Sequence, residues 1–380
     1  MATFSDLGVL PVLESALASG DITEPMPIQI QAIPALLAGR DAYISSETGT
    51  GKTLAYLLPF LSQIDPAQRL LQAVIVVPTH ELAMQICDVG RDLAERAGLG
   101  IRWQVLIGGV STKRQVEKLK SKPHIVIGTP GRLVELIGLR KIKPHTVKYI
   151  IIDEVDRLLA GDSLTAIQAI IKSTLRERQL IFVSATRQAE SAKESAVLAP
   201  DLVQIHAGAG RVNAAIKHAY IECEARDKPD LLRKLLSALR PVRAIVFVHR
   251  NANAQTITTK LAHHKIAVVD LHGAQDNAQR RKAIDDFRAA TAQVLIASDI
   301  AARGLDIQGV SHVFNFDIPT RSKDYLHRVG RTSRAGSRGY AISLMTAQEV
   351  RLVKRYQREL DIALRAGRLY RGVFNVDDEE

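Results

Sequence analysis

Residues 46–53 read Ser-Glu-Thr-Gly-Thr-Gly-Lys-Thr, and this octapeptide constrains the fold more than any other part of the chain. Gly49 and Gly51 can adopt backbone angles that other residues avoid, so successive N–H groups can turn inward around phosphate oxygens. Lys52 would reach the outer phosphates, and the Thr53 hydroxyl would ligate Mg²⁺. The helix predicted directly after the loop would point its positive end at the same anion. The octapeptide therefore predicts a phosphate-binding loop.

The strict form of this pattern has a Gly five residues before Gly51, whereas this chain has Ser46 there. Taken alone, the octapeptide could therefore be an ordinary strand-to-helix turn. A second feature weighs against that alternative. The apolar run 149–152 is typical of a buried strand, and Asp153 and Glu154 follow its carboxyl end, where sheets of this type bind ligands. Together the two features predict a site for a nucleoside triphosphate.

Length and composition set the broad class. The 380 residues suggest two or three domains, and 46% hydrophobic with 24% charged residues is ordinary for a globular protein. No stretch approaches the ~18 consecutive apolar residues of a membrane span, and residues 1–8 lack the basic cluster of a secretion signal. Cys87 and Cys223 have no metal-type spacing and are expected to be reduced thiols. We therefore expect a cytoplasmic protein.

The net charge of +11 favours a polyanionic partner, although many basic proteins bind nothing anionic. Aromatic residues make up only 4% of the chain, which argues against a single-strand binder built mainly on base stacking. If the chain holds a nucleic acid, the phosphate backbone is the expected contact.

Short β-branched runs alternate with segments that are apolar at helical spacing, such as 80–94 and 277–288. This alternation, with strands that are apolar throughout, predicts an α/β fold with parallel sheets covered on both faces. The predicted strands are 73–77, 103–107, 125–127, 149–152 and 180–183 in the first half, and 244–248, 266–269, 294–297, 312–315 and 340–344 in the second.

The Gly-rich segment 207–213 shows neither the apolar pattern of a strand nor that of a helix, and it predicts a flexible joint. We therefore expect an ATP-binding type domain at 1–206, a linker at 207–213 and a second domain at 214–365. Residues 366–380, which end in four acidic residues, are expected to form a tail.

About a dozen ordered motifs between Phe4 and Gly339 resemble those of the DEAD-box ATP-dependent RNA helicases, a branch of helicase superfamily 2. The sequence Asp153-Glu154-Val155-Asp156 stands where the motif that names the family ends in Ala-Asp. The resemblance implies two tandem RecA-like domains, each a mainly parallel β-sheet flanked by helices. It also implies RNA-stimulated hydrolysis of ATP, with local unwinding of short RNA duplexes or remodelling of RNA–protein complexes. The compact chain is similar to smaller bacterial members, whose expected partners are proteins of ribosome assembly or RNA turnover.

The family's motifs imply roles in the ATP site. Gln29 would read the adenine edge and Phe4, 25 residues earlier, would stack on the base. Asp299 would bond to the ribose hydroxyls. Asp153 would hold Mg²⁺, and Glu154 would orient or deprotonate the attacking water. The loop residues implied to contact ATP are Thr48, Gly49, Thr50, Gly51, Lys52 and Thr53, and the implied arginine fingers are Arg331 and Arg334.

The resemblance also implies a coupling element and an RNA track. Coupling would join Asp156 to Ser184-Ala185-Thr186 and to His327. The RNA track would be made of phosphate-positioning groups, which give affinity with little sequence information. Its residues are Thr79, Gly108, Gly109, Thr129 and Arg132 in the first domain and His249, Arg250, Arg280, Arg303 and Gly304 in the second. Phe247 is expected to support the arginine fingers by packing.

The chain departs from the family pattern at several places. His80 stands where the family has Arg, Asn277 replaces Gln, Ser333 replaces Gly, and Asp21-Ile22 replaces Gly-Phe. Each change puts the direct transfer of the family's contact in doubt at that position.

Two other functions remain open at this point. The protein could be an ATP-gated clamp or chaperone on RNA with little unwinding, or a superfamily 2 DNA translocase. Intact Glu154, Arg331 and Arg334 weigh against a protein that has lost its chemistry. The motif around Gln29 and the sequence Ser184-Ala185-Thr186 favour the RNA branch over the DNA one.

Overall fold

The computed structural model describes residues 2–46, 50–184, 189–207, 215–272, 275, 277–302, 309–332 and 338–376. The chain divides into two compact units, Met1–Gly210 and Arg211–Glu380, called the N-terminal and C-terminal units below. Of the predicted linker 207–213, only Ala207 lies among the described residues. Among the described helices, none has both the length and the hydropathy that crossing a membrane requires.

The N-terminal unit is built on seven parallel strands in the order β3-β4-β2-β5-β6-β1-β7. The strands are β1 (Ala42–Ser45), β2 (Ala73–Val76), β3 (Trp103–Leu106), β4 (Ile125–Gly128), β5 (Tyr149–Asp153), β6 (Gln179–Ser184) and β7 (Val203–His206). The helices are α1 (Pro11–Ala18), α2 (Pro27–Leu37), α3 (Lys52–Gln63), α4 (His80–Arg96), α5 (Thr112–Leu119), α6 (Pro130–Gly138), α7 (Val155–Leu158), α8 (Asp162–Ser173) and α9 (Ala189–Leu198), with a 3₁₀ turn at Pro144–Thr146.

Burial on both faces explains why the central strands are apolar at every position. In β5, Ile150 and Ile152 pack into one apolar cluster, while Ile151 packs into another on the opposite face. Successive side chains of a strand point to opposite faces, so a strand covered on both sides needs an unbroken apolar run. The prediction of parallel sheets covered on both faces is confirmed for this unit.

The C-terminal unit contains eight strands in the order β10-β11-β9-β12-β13-β8-β14-β15, parallel except for the antiparallel pair β14–β15. The strands are β8 (Ile216–Glu222), β9 (Ala244–Phe247), β10 (Val268–Asp270), β11 (Val294–Ala297), β12 (His312–Asn315), β13 (Gly339–Met345), β14 (Leu364–Tyr370) and β15 (Val373–Val376). The helices are α10 (Lys228–Leu239), α11 (Asn251–His263), α12 (Asn277–Arg288), α13 (Asp299–Ala302), α14 (Ser322–Val329) and α15 (Ala347–Leu360), with a 3₁₀ turn at Ala225–Asp227.

Nine of the ten predicted strands match observed ones to within one residue at each end, and helix 277–288 matches α12. The predicted strand 266–269 is shifted, since β10 begins at Val268. The sequence analysis did not predict β1, β7, β8, β14 or β15.

The prediction that residues 366–380 form a tail is wrong for 366–376. Residues 364–366 of β14 extend the parallel sheet beside β8, and β15 returns antiparallel to β14. Leu369 and Phe374 pack against the apolar cluster of the unit, and Gly367 leaves room for the Phe374 ring, since a Cβ there would lie 2.7 Å from Phe374 Cε2. The packing of these two side chains holds the segment in place, and its short, arginine-rich sequence does not indicate this packing.

Candidate functional site

The strand order of the N-terminal unit sorts the predicted site residues into two groups along one edge of the sheet. All seven strands are parallel, so their carboxyl ends share this edge. The adjacent strands β5, β6 and β1 end at Asp153, Ser184 and Ser45, the last leading into the phosphate loop. The adjacent strands β2, β4 and β3 lead to Thr79, Thr129 and Gly108. The predicted nucleotide residues and RNA residues therefore occupy separate halves of the edge, which meet between β2 and β5.

Gly51 begins the helix of the phosphate loop and could not be another residue in this structure. Its φ is +83°, in the left-handed region, and it is the N-cap of α3. A Cβ at Gly51 would lie 2.4 Å from Gln29 Nε2, which donates a hydrogen bond of 3.0 Å to the Gly51 carbonyl. Lys52 Nζ donates to the Ser46 carbonyl at 2.5 Å, so the loop closes on its own lysine. The predicted ligands Thr48 and Gly49 lie outside the described residues, whereas Thr50 and Thr53 lie within them.

Gln29 and Phe4, predicted to contact adenine, are both buried here. Gln29 is 1% exposed, and its Oε1 accepts a 2.8 Å hydrogen bond from the Met26 amide while its Nε2 holds Gly51. Phe4 is fully buried in the apolar core. In this arrangement Phe4 packs in the core, and Gln29 supports the chain at Gly51. Stacking of Phe4 on a base stays a prediction that requires its ring to be uncovered. Ile22, one of the departures beside this motif, is exposed.

Asp153 is a buried carboxylate at the end of β5. Its Oδ2 accepts a 3.0 Å hydrogen bond from the Tyr56 hydroxyl, and its Oδ1 accepts one of 2.8 Å from the Glu154 amide. Burial and the neighbouring Glu154 charge raise the pKa of Asp153 to about 6, against the smaller opposing effect of Lys52. Burial, with the nearby Asp153 charge, raises the pKa of the Tyr56 hydroxyl well above its usual value. Tyr56, one turn along α3 from Lys52, is a site residue that the sequence analysis missed.

The raised pKa of Asp153 predicts that this carboxylate destabilises the protein when metal and nucleotide are absent. The folded pKa of about 6 lies above the ordinary 3.8, so stability falls as pH rises through the window from about 4 to 6. At pH 7.5 the full penalty of about 3 kcal/mol is present, since one pKa unit corresponds to about 1.4 kcal/mol. Asp153→Asn should therefore increase the free energy of unfolding by up to that amount while abolishing ATP hydrolysis.

Urea unfolding in a chelating buffer, followed by the fluorescence of Trp103 in β3, measures this effect. The gain from Asp153→Asn should shrink toward zero as the pH is lowered to about 3, where the carboxyl is protonated in folded and unfolded chains alike. Asp201→Asn, at an exposed position of the same unit, is the matched control. Equal stability of wild type and Asp153→Asn at pH 7.5 would contradict the prediction.

Glu154 adopts a strained backbone. Its φ of +53° and ψ of +47° are left-handed, a conformation that costs a residue with a Cβ roughly 1–2 kcal/mol. This geometry allows the chain to turn sharply at Glu154, between the end of β5 at Asp153 and the start of the short helix α7 at Val155. Strain of this kind at the end of a strand is typical of functional sites. Val155, the departure from the family motif, is fully buried in the apolar cluster below α7, so its larger side chain is accommodated.

Part of the predicted coupling element is present within the N-terminal unit. Ser184 Oγ donates to Asp156 Oδ1 at 3.5 Å, which joins the carboxyl ends of β5 and β6. Thr186 lies outside the described residues. His327 lies in α14 of the C-terminal unit.

The other half of the edge holds the predicted RNA residues on ordered loops. Thr79 Oγ1 caps α4 by accepting the Leu82 amide at 3.2 Å, and Thr129 is the N-cap of α6. Arg132 Nη1 donates to the Val110 carbonyl at 3.1 Å, which ties α6 to the loop containing Gly108 and Gly109. Gln115, which the sequence analysis missed, holds the same loop through two bonds to the Ile107 backbone.

His80 replaces the family's Arg at a place where it contacts the glycine pair. A Cβ at Gly108 would lie 3.7 Å from His80 Nε2, and one at Gly109 would lie 3.9 Å from His80 Cε1. The imidazole, in the first turn of α4, therefore lies on the side of Gly108 and Gly109 where a side chain would be.

In the C-terminal unit a buried guanidinium organises the strand ends. Arg328 of α14 is 1% exposed, and its Nε and Nη2 bond Asp299 Oδ1 and Oδ2 at 2.5 and 2.8 Å. Its Nη1 donates to Asn315 Oδ1 at 3.1 Å and to the Asp317 carbonyl at 2.6 Å, and its Nη2 lies 2.7 Å from His249 Nε2. No sequence pattern predicted this role for Arg328, because only the fold brings its partners together.

This network changes the interpretation of Asp299, His249 and Phe247. Burial would raise the pKa of Asp299, but the hydrogen bonds from Arg328 and His249 and the Arg328 charge hold it below its usual range. Both carboxylate oxygens of Asp299 are bonded to Arg328, so a ribose contact would have to share them. The Phe247 ring lies 4.9 Å from the Arg328 guanidinium carbon. Within the described residues, Phe247 thus supports Arg328, where the sequence analysis had assigned it to the fingers.

The remaining predicted residues of this unit are only partly described. Arg250 is the exposed N-cap of α11, and Arg280 Nη2 donates to the Ala301 carbonyl at 3.0 Å. Arg331 follows α14 and is half-buried. Three residues lie outside the described ranges: Arg303, Gly304 and Arg334.

A phosphate loop ahead of a helix, a buried Asp followed by Glu at a nearby strand end and a second, mainly parallel-sheet unit define a nucleoside triphosphatase with two RecA-like domains. The sequence model of the DEAD/DEAH box helicases matches residues 26–195, and that of the helicase conserved C-terminal domain matches residues 227–336.

Relatives and solved structures agree with these matches. DEAD-box ATP-dependent RNA helicase CshC of Bacillus cereus is 39% identical over 366 residues, covering 96% of this chain and 93% of CshC. Probable ATP-dependent RNA helicase YfmL of Bacillus subtilis is 43% identical over 358 residues, covering 93% of each chain. The structure of S. cerevisiae Dbp5 bound to RNA and ADP BeF3 superposes with a TM-score of 0.87 at 28% identity, covering 96% of this chain and 95% of that one.

The chain therefore belongs to the DEAD-box ATP-dependent RNA helicases and is an ATP-hydrolysing enzyme that acts on RNA. The predictions of family, fold class and activity are confirmed. Neither the clamp nor the DNA translocase is favoured, since the relatives are RNA helicases.

Proposed function

We propose that this enzyme unwinds short RNA duplexes, or remodels RNA–protein complexes, and that ATP and RNA bind to different halves of the N-terminal sheet edge. The observation that carries the proposal is the separation of the Asp153–Ser184–Ser46 half from the Thr79–Thr129–Gly108 half on adjacent strands of one sheet. The first half would hold ATP and the second would hold the RNA backbone. RNA and ATP would thus contact one rigid sheet without competing for the same loops.

Magnesium fits the first half. Burial and the Glu154 charge destabilise the ionised form of Asp153, so a bound cation would stabilise this carboxylate. Thr53 supplies a hydroxyl at the start of α3, the helix that also carries Tyr56. Hard cations such as Mg²⁺ prefer oxygen ligands of this kind. We propose that Asp153 and Thr53 hold Mg²⁺, directly or through water, and that the bound ion would neutralise phosphate charge. Lys52 would contact the outer phosphates, after exchanging its bond to the Ser46 carbonyl for a phosphate oxygen.

The remaining roles follow from the same geometry and from the family motifs. Glu154 would orient or deprotonate the attacking water, at the strand end where its left-handed backbone turns it away from Asp153. Arg331 and Arg334 of the C-terminal unit would stabilise charge on the γ-phosphate. Asp156, Ser184 and Thr186 would report the state of the nucleotide to the RNA half, together with His327. The Arg328 network would fix the strand ends from which these arginines follow.

The second half of the edge would bind phosphates through loop backbone, Thr79, Thr129 and Arg132. Groups of this kind position a strand without reading its bases, so the core would accept many RNA sequences. Selection of RNA over DNA would depend on contacts to 2′-hydroxyls. We also propose partners from ribosome assembly or RNA turnover, and a cytoplasmic location in which the free thiols Cys87 and Cys223 stay reduced.

An ATPase titration tests this proposal. We expect hydrolysis to be stimulated much more by RNA than by DNA of the same sequence, and the RNA concentration for half-stimulation to rise steeply with salt. Each phosphate contact to a single strand contributes about 0.7 to the salt exponent, so several contacts give a large effect. Equal stimulation by RNA and DNA would contradict the RNA assignment, and salt-independent stimulation would contradict the phosphate track.

A further inference from the structure

The hairpin formed by β14 and β15 has two distinct faces. Leu369 and Phe374 point inward against the apolar cluster of the C-terminal unit, with Gly367 opposite the Phe374 ring. Side chains of the alternate positions point outward, and these are exposed: Arg368 paired with Asn375, and Tyr370 paired with Val373. The inner face therefore holds the hairpin in place, and the exposed side chains of the outer face do not contribute to this packing.

The outer face combines positive charge with an exposed aromatic ring. Tyr370 is 66% exposed, and the Arg371 guanidinium carbon lies 5.2 Å from the centre of its ring. Between Leu364 and Val376 the sequence has three arginines and no acidic residue, and the four acidic residues 377–380 follow directly. A flat aromatic ring beside guanidinium groups is the combination on which nucleobases stack while phosphates are neutralised.

The turn of the hairpin carries a residue that the fold itself does not favour. Arg371 and Gly372 both have positive φ, +47° and +78°, as in two-residue type I′ turns. Such turns prefer Asn or Gly at the first position, because a longer side chain with a Cβ is strained there. The strained residue is nevertheless an exposed arginine placed over Tyr370.

We propose that the outer face of this hairpin, formed by Arg368, Tyr370 and Arg371, is a second RNA-binding surface, separate from the track on the strand ends. Tyr370 and Arg371 would stack on one base of a single-stranded segment, and Arg368 would contact its phosphates. The surface lies beyond residues 227–336, which match the helicase C-terminal domain. It would hold RNA near the enzyme between cycles of ATP hydrolysis, and it depends on the proposed function for its RNA substrate.

The test compares the full chain with Arg368→Ala/Tyr370→Ala/Arg371→Asn, using fluorescence anisotropy of a labelled uridine oligonucleotide. An RNA of about 40 nucleotides is longer than the roughly 4–16 nucleotides that one such surface covers. We expect about tenfold weaker binding. We also expect the salt exponent to fall by about 0.7, because the Arg368–phosphate contact is lost. The ATPase rate at saturating RNA should not change.

Arg371→Asn alone separates binding from folding. Asn tolerates positive φ better than Arg, so this variant should unfold about 1–3 °C higher while binding RNA less tightly. A merely structural role for Arg371 would move both quantities in the same direction. Arg226→Ala, at an exposed position of the same unit, is the control and should change neither.

Unchanged RNA affinity and salt exponent in the triple variant would overturn the proposal and leave the face for a protein partner. A fall in the ATPase rate at saturating RNA would also overturn it, because the hairpin would then be part of the catalytic assembly. Failure of the proposed function gives a different result, since the wild-type ATPase would itself show no stimulation by RNA.

Discussion

Replacement of Glu154 by Gln is expected to slow ATP hydrolysis by about 10²–10⁴-fold while leaving ATP binding intact. Gln keeps the size of the side chain and the left-handed backbone at this position, but it cannot take a proton from the attacking water. The long contact of 3.6 Å between Arg157 and Glu154 is partly exposed, so its loss should change stability little. Steady-state ATPase assays at saturating RNA measure the effect.

Glu95→Gln, an exposed change of the same chemistry on α4, is the matched control and should retain full activity. A Glu154→Gln variant with more than about a tenth of wild-type activity would exclude Glu154 as the base, since general-base catalysis contributes at least about 10²-fold. The same variant also separates an enzyme that recycles from a clamp. With ATP bound, it should hold RNA and fail to release it, whereas a clamp that functions without hydrolysis would show wild-type release.

The second large effect is on stability. Arg328→Ala is expected to destabilise the C-terminal unit by about 3–5 kcal/mol, the usual cost of removing one partner from a buried ion pair. The variant would leave Asp299 without its bidentate partner and would remove the donor to Asn315 Oδ1 and to the Asp317 carbonyl. Arg328→Lys should also be destabilising, because an ammonium group cannot reproduce the fork of the guanidinium.

The position of the single tryptophan allows the unfolding of the two units to be followed separately. Trp103 lies in β3 of the N-terminal unit, so its fluorescence follows that unit, whereas far-ultraviolet circular dichroism follows both. In urea, Arg328→Ala should shift the transition seen by circular dichroism to lower denaturant and leave the Trp103 transition in place. Arg226→Ala, an exposed change in the C-terminal unit, should shift neither. An unshifted circular dichroism transition in Arg328→Ala would contradict the assigned role of the network.

The sequence predicted the parts of the molecule that local pattern controls. Strands such as 149–152 are apolar throughout because both faces are covered, and that pattern is visible without a structure. The phosphate loop and the Asp153-Glu154 pair were found because their chemistry requires particular residue types at particular spacings. By contrast, β1 consists of four residues, Ala-Tyr-Ile-Ser, and so short a run does not separate a strand from a buried turn.

What the sequence did not show depends on contacts between distant residues. Arg328 lies inside a motif, yet its role follows from Asp299 at the start of α13 and from Asn315 and Asp317 at the end of β12. The burial of Phe4 and Gln29 likewise depends on how the N-terminal segment packs, which no spacing rule encodes. The β14–β15 hairpin was missed because its inner face has few apolar residues, Leu369, Phe374 and Val376, too few to signal a strand pair.

The strand order of the N-terminal sheet has a consequence for how such enzymes diversify. The segments proposed to contact RNA follow β2, β3 and β4, which are consecutive in the sequence, whereas those proposed for hydrolysis follow β1, β5 and β6. The fold places each set on three neighbouring strands. Loops after β2, β3 and β4 can therefore be lengthened, exchanged or mutated while the hydrolytic apparatus stays as it is. We expect such changes to alter how tightly RNA is held and not which bases are read, and laboratory loop grafts should be tolerated at the same positions.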